Sequence, residues 1–295
     1  MHNQIRIKKM QGLSLIELMV SMVISLFLIG GLASVYISTR ASDKMRVEIS
    51  EMEENARTAL LAIRNIVSHA GYPSIYNHTI DEPFYAGADN IPNPDCRAGG
   101  AKESLIAYTP ILDEKTEDST TGKRDTLVTV FMADNPDMVG APPGLLTQDC
   151  MASTITAQCS SDPMGGMYNP TEAKIYNYLY ITTGSGRRAL PCMGSLGGAQ
   201  PIAENIENMQ FLYGVQIGDD LIYKNATEVT ADGDWGSVIN VQAGILVRSE
   251  REVLDTDEKK VFLLLDQKIT TAKDRRIYKA YTTTIVLPNR ITKEL

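Results

Sequence analysis

The sequence predicts an α+β chain, one long helix followed by an antiparallel β-sheet domain with long loops, and three observations predict it. Leu18 to Thr39 is uncharged and mostly apolar. Directly after it, Met45, Ile49, Met52, Ala56, Leu60, Ile63 and Val67 recur at spacings of four and three, with no Pro or Gly until Gly71 and Pro73. Apolar patterns of period two then cluster toward the C-terminus instead of alternating with helical ones, which favours strands that pair with their sequence neighbours.

Roughly 20 apolar residues span a bilayer core as a helix, so the first run is long enough to cross one. Arg6, Lys8 and Lys9 precede it with no acid among them and no similar bias immediately behind, which places the N-terminus in the cytoplasm and the bulk of the chain outside it. An ordinary secretory signal puts its cleavage site after the apolar core, whereas here the candidate cleavage residue, Gly12, comes before it. The expected organisation is therefore a leader over 1–12, a membrane helix over 13–39, an amphipathic continuation over 40–70 and a β-rich globular domain over 71–295. Glu17 is the exception within the apolar part. A carboxylate at membrane depth costs about 2.5–3.5 kcal/mol unless it is partnered or shallow. A cut after Gly12 would put the new α-amino group of Leu13 one helical turn from Glu17, and a neighbouring copy could offer the same amine.

The run Gly12-Leu13-Ser14-Leu15-Ile16-Glu17-Leu18-Met19-Val20 closely resembles the processing signal of type IV pilins and type II secretion pseudopilins. The resemblance implies cleavage after Gly12 by a prepilin peptidase, Leu13 as the new and methylated N-terminus, and Glu17 as the carboxylate used in assembly. Most family members carry Phe where this chain has Leu13, and many major pilins carry a kinking Pro near the position of Ser34. Farther on, Ile206-Glu207-Asn208-Met209-Gln210-Phe211-Leu212-Tyr213-Gly214-Val215, Ala243 to Ser249 and Tyr281 to Arg290 look like the PilW-type minor pilins of type IV pili.

That likeness implies a pilin-like fold and a single-pass protein of the bacterial inner membrane, with its C-terminal domain periplasmic, that later reaches the pilus and cell surface. The implied partners are other minor pilins and the major pilin through the N-terminal helix, the prepilin peptidase, the inner-membrane assembly platform and a tip adhesin. Its implied function is to prime pilus assembly and take part in the tip complex, supporting piliation, twitching motility and adhesion. A minor pseudopilin of a type II secretion system shares the signal and general fold and is the nearest alternative. A membrane-anchored periplasmic binding module or hydrolase is the alternative of another class.

Composition narrows the remaining classes. The 28 Lys and Arg against 36 Asp and Glu leave the chain at −8, and loss of the three leader cations would leave 25 − 36 = −11. Such an acidic chain gives no support to nucleic-acid binding, which wants a basic face. Cys96, Cys150, Cys159 and Cys192 all lie beyond the apolar run, where an oxidising periplasm favours disulfides. Four cysteines allow three pairings and sequence does not choose among them. Their gaps of 54, 9 and 33 contain no Cys-x-x-Cys, and neither His69 nor His78 stands near one, so no metal site is expected.

Turn formers dominate residues 73–125, around one short apolar run, Leu105 to Tyr108. Thr126 to Met132 reads as a strand. The polar tract from Ala133 to Thr171 is too long for an unpinned loop, and Cys150 and Cys159 are the expected pins. Ile175 to Thr183 reads as a strand and Gly184 to Arg188 as the turn of a hairpin. Gly184, Gly186 and Ala189 also fit a nucleotide-binding Gly-x-Gly-x-x-Ala pattern, which Pro191 argues against because the last small residue should open a helix. Ile202 to Met209 reads as helix-like or irregular, and Phe211, Tyr213, Val215 and Ile217 as a half-buried strand.

Gly218 to Asp220 and Ala231 to Asp234 read as solvated acidic turns without calcium-loop spacing. Trp235, the single tryptophan, reads as a core anchor. Ile239 to Val247, Val261 to Leu265 and Arg276 to Leu287 complete the strands. In the first helix Gly30-Gly31 is either a soft spot or a helix contact. Only His69 and His78 follow the leader, with no Gly-x-Ser-x-Gly, paired-His or P-loop motif, so neither catalysis nor a cofactor is expected.

Overall fold

The computed structural model describes residues 14–73, 80, 82–86, 97–98, 101–102, 115–118, 123–134, 144–155, 174–182, 188–195 and 197–291. They fall into two compact units, residues 1–48 and 49–295. Helix α1, Leu15–Ser68, is one uninterrupted element of 54 residues that begins in the first unit and ends in the second. Gly30 and Gly31 do not break it, and nothing lies within 4 Å of where their Cβ atoms would stand.

In the second unit Met52, Ala56, Ala59, Ile63, Ile66 and Val67 are buried, so steps of four and three lay one stripe on the core. Each Met, Ile or Val side chain of the stripe contributes about 1.5–3 kcal/mol by leaving water. Leu60, expected in this stripe, is only partly buried, and Ala59 takes the central place. The helix stops where expected. Gly71 adopts φ 72°, open to a residue without Cβ, and its N–H donates to the Val130 carbonyl at 2.8 Å. Asn289, from the far end of the chain, donates through its amide to the Ser68 and Ala70 carbonyls at 3.1 and 3.4 Å.

Two antiparallel four-stranded sheets make up most of the domain. The first contains β3 (Leu127–Met132), β4 (Lys174–Leu179), β5 (Ala189–Gly194) and β6 (Ala199–Glu204) in spatial order 3-4-5-6. The second contains β7 (Ile206–Ile217), β8 (Asp220–Lys224), β9 (Val238–Arg248) and β12 (Tyr278–Val286) in order 12-9-7-8. A two-residue ladder, β1 (Arg97–Ala98) with β2 (Ala101–Lys102), and the hairpin β10 (Val261–Leu264) with β11 (Gln267–Thr270) are separate. Alternation along β9 explains how both faces of the second sheet are covered. Val241, Ala243, Ile245 and Val247 join the core that also holds the α1 stripe, while Leu246 faces the hairpin with Leu264, Ile269 and Tyr278. The architecture is thus α+β, as the pattern predicts.

Ile202 to Met209 is not helix-like: it is the end of β6 and the start of β7. Asn205, at φ 62°, turns the chain from one sheet into the other. Its N–H donates to Arg188 and its carbonyl accepts from Arg248. That corner interrupts strict alternation, so the apolar spacing across it imitates a helical period.

The acidic stretch at Ala231 to Asp234 is also more ordered than a turn. It ends helix α2, Ala226–Asp232, whose Asn225 and Glu228 exchange reciprocal capping bonds, and Gly233 at φ 71° closes it. Trp235 is buried against Tyr213 and Phe84. Helix α3, Pro288–Ile291, is a single closing turn. The run at Leu105 to Tyr108 lies outside the described residues.

Candidate functional site

From Leu15 to Ile37 the large apolar side chains of α1 are exposed on every side, with Leu15 at 78% and Phe27 at 79%. A helix apolar all round needs lipid or other helices as its solvent. By length and composition this is the one described helix able to cross a membrane. Its polar groups are arranged accordingly. Ser21 and Ser25 donate back to the Leu18 and Ser21 carbonyls at 2.9 and 2.7 Å, so neither hydroxyl needs water. Tyr36 and Arg40 close the apolar run as a pair, with the Arg40 Nε donating to the tyrosine hydroxyl at 3.0 Å. Such an aromatic and cation suit a membrane interface.

At the opposite end, the Ser14 N–H donates to Glu17 Oε2 at 3.0 Å. Ser14 precedes the first helical residue and Glu17 is the third, which is one arm of a capping box. The carboxylate therefore satisfies an orphan donor of the helix start and sits near the positive end of the helix dipole. Sequence reasoning placed Glu17 as a membrane carboxylate in need of an amine and missed this local partner, although Ser-x-x-Glu was readable. Gly12 and Leu13, the expected processing residues, lie outside the described residues.

The domain holds its own loops by buried polar contacts. Cys150 is joined to Cys192 on β5, with Cα atoms 6.3 Å apart. One expected pin of the long polar tract therefore fastens it to the first sheet, and the other, Cys159, lies with Cys96 outside the described residues. Beside the disulfide, Asp149 accepts from the Met151 and Ser153 N–H groups, both at 2.9 Å, and Asn177 accepts from the Cys150 N–H at 2.7 Å. Neither residue was singled out in the sequence. Glu207 is ringed by Arg124, Arg188 and Arg248 at 3.7, 2.9 and 3.3 Å. Burial nevertheless raises its pKa above the ordinary carboxylate value, against the pull of Arg188 and Arg248.

His69 is half-buried against Phe131, 5.9 Å between ring centres, and burial lowers its pKa. His78 lies outside the described residues. Ala189 opens a strand rather than a helix, and Pro191 sits within that strand, so no helix N-terminus stands at the last position of the glycine pattern. Gly184 and Gly186 themselves lie outside the described residues. Lys224 stands between Asp232 and Asp234 at 2.7 and 2.6 Å, occupying the acidic loop with a cation of the chain's own. Among the described residues no group of three or more His, Cys, Asp or Glu could hold a metal ion.

Comparison with known proteins gives two family matches. Residues 178–289 match the type IV pilus-assembly protein W family, and residues 7–33 match the prokaryotic N-terminal methylation motif. The first match runs from the end of β4 through the whole second sheet to α3, and the second covers Glu17 and the beginning of the exposed apolar helix. No curated protein and no solved structure matches the chain. With an apolar helix that fits a single-pass anchor and a domain of antiparallel sheets behind it, the two signatures match this chain to the PilW-type minor pilins of type IV pili.

Proposed function

We propose that this chain is made as an inner-membrane precursor, cut after Gly12, and inserted through its N-terminal helix into a priming complex of minor pilins that becomes the pilus tip. The observation that carries this reading is the pairing of the methylation motif at one end with the PilW match at the other. A pilus-assembly family over residues 178–289 supports a pilus over a secretion system. Domain placement follows the cation bias, with the globular part periplasmic before assembly and at the cell surface after it.

The mechanism rests on Glu17. In the precursor its carboxylate is held by the Ser14 N–H. Cleavage creates a charged amine at Leu13, and a neighbouring subunit brings another. The Ser14 bond leaves the carboxylate's charge without a countercharge, so a neighbour's ammonium, which adds an opposite charge to the hydrogen bond, can compete for it as the helix leaves lipid for other helices. The all-round apolar surface of α1 from Leu15 to Ile37 is what that exchange preserves, since helix contacts replace lipid contacts. Other minor pilins, the major pilin, the assembly platform and an adhesin are the partners of this stage.

Glu17→Ala tests the assignment. The variant should remain in the membrane at normal level and disappear from sheared pili, with piliation reduced. Normal incorporation and piliation would reject the role of Glu17. An uncut N-terminus, read by mass spectrometry in cells that carry the peptidase, would reject the processing step.

A further inference from the structure

Strand β12 forms one margin of the second sheet, and its ladder partner is β9 alone among the described residues. Two bonds fix which of its backbone groups face inward. The Ser249 N–H donates to the Ile277 carbonyl at 2.8 Å, and the Leu287 N–H donates to the Ile239 carbonyl at 2.9 Å. Antiparallel alternation between these points turns residues 279, 281, 283 and 285 into the ladder with β9. Tyr278, Ala280, Thr282, Thr284 and Val286 then aim N–H and C=O groups away from it, and among the described residues no backbone group completes that row. The other margins are short or closed: β8 has five residues, β6 carries Pro201, and Phe84 bridges Thr129 on β3.

Beside the outward row, α1 and β12 leave a groove of about 450 Å³. Ala56, Leu60, Leu61 and Tyr281 give it an apolar lining, and Arg57 and Arg64 stand along it. Glu53 also borders the groove, but it is bonded to Lys279 at 3.0 Å, which leaves the two arginines to set its sign. Leu61 is 53% exposed there.

We propose that this margin accepts an extended strand from a different polypeptide, whose groove-facing positions, every second residue, include both apolar and acidic side chains. Only an extended backbone satisfies a row of alternate N–H and C=O groups, and alternate side chains of such a strand face one way, into the groove. Apolar residues meet Leu60, Leu61 and Tyr281, and carboxylates meet Arg57 and Arg64. A second copy at the same margin presents Tyr278 to Val286, which contains no acid, and so offers the arginines no anion. The proposal goes beyond the pilin reading and does not depend on it.

The test uses the full chain in detergent micelles and two labelled nine-residue peptides with Thr at the even positions, the odd positions that share one face of the strand being Val and Glu in one peptide and Val and Lys in the other. The Glu peptide should bind about tenfold or more tighter than the Lys peptide. Arg57→Glu should remove that preference. Thr282→Pro, which deletes an outward donor and leaves the inward ladder intact, should abolish binding, while Thr282→Ala should not. Retained Trp235 fluorescence reports that the proline variant is folded, and where it is not, the loss or survival of the preference in Arg57→Glu decides the matter alone. Equal binding of both peptides, or undiminished binding by a folded Thr282→Pro variant, overturns the proposal. In piliated cells a photo-crosslinker at Thr282 should mark an extended acidic segment of another chain, and crosslinks confined to a second copy also overturn it. Absence of the chain from sheared pili would instead sink the pilus reading and leave the peptide result standing.

Discussion

Gly194 and Asp149 show how closely single residues are matched around the disulfide. A Cβ on Gly194 would fall on the Asp149 carboxylate, which is buried and committed to the Met151 and Ser153 N–H groups. Gly194→Ala should therefore lower stability by about 1–3 kcal/mol, the usual range for overpacking, read as a lower denaturation midpoint with unchanged slope. His69 gives a pH dependence. Burial holds its pKa below the ordinary 6.5, so the unfolded chain binds the proton more readily. Its contribution is fully present above 6.5 and is lost as pH falls from there through the lowered folded value. Denaturation profiles should thus show stability rising with pH across that window, and His69→Gln should flatten the rise. At this scale the sequence was least informative, because Asp149, Asn177 and Glu207 acquire their roles from residues brought close by folding. Glu17 is the exception, since its Ser14 partner stands three positions away.

Among the elements, the helical stripe and most strands were legible because each has a period and a clear stop. Ile63 is a fully buried member of the stripe, and Leu61, two positions before it, is half exposed. Ile63→Ala should cost about 2–5 kcal/mol and Leu61→Ala less than about 0.5, a contrast that thermal melts would resolve. The boundary between β6 and β7 was not legible, because a single left-handed Asn205 reverses the phase of the pattern without changing its composition. The pairing of Cys150 with Cys192 was equally hidden, since it depends on where the tract after β3 lies against β5. That bond closes a separation of 42 residues. Cys192→Ser should lower stability by about 2–4 kcal/mol, and added reductant should lower the wild-type melting point but not the variant's, so far as this bridge is concerned.

For the molecule as a whole, the proposed cleavage after Gly12 would change charge as well as length. Removing Arg6, Lys8 and Lys9 takes the chain from −8 to −11. In cells with the peptidase the protein should focus at a lower isoelectric point than in cells without it, and identical focusing in both would count against processing.

The far end of the chain bears on the same spine. Glu53 meets Lys279 and Arg64 meets Thr283, so this part of α1 runs alongside β12 in the same direction, and Asn289 then grips the carbonyls at the helix end. A pull along the spine would enter the domain through both its earliest and its latest segments. It would load the nine-pair β12–β9 ladder along its length, asking many bonds to slide together rather than unzip one by one. The same clasp that finishes a helix would thus pass such traction into the ladder as shear.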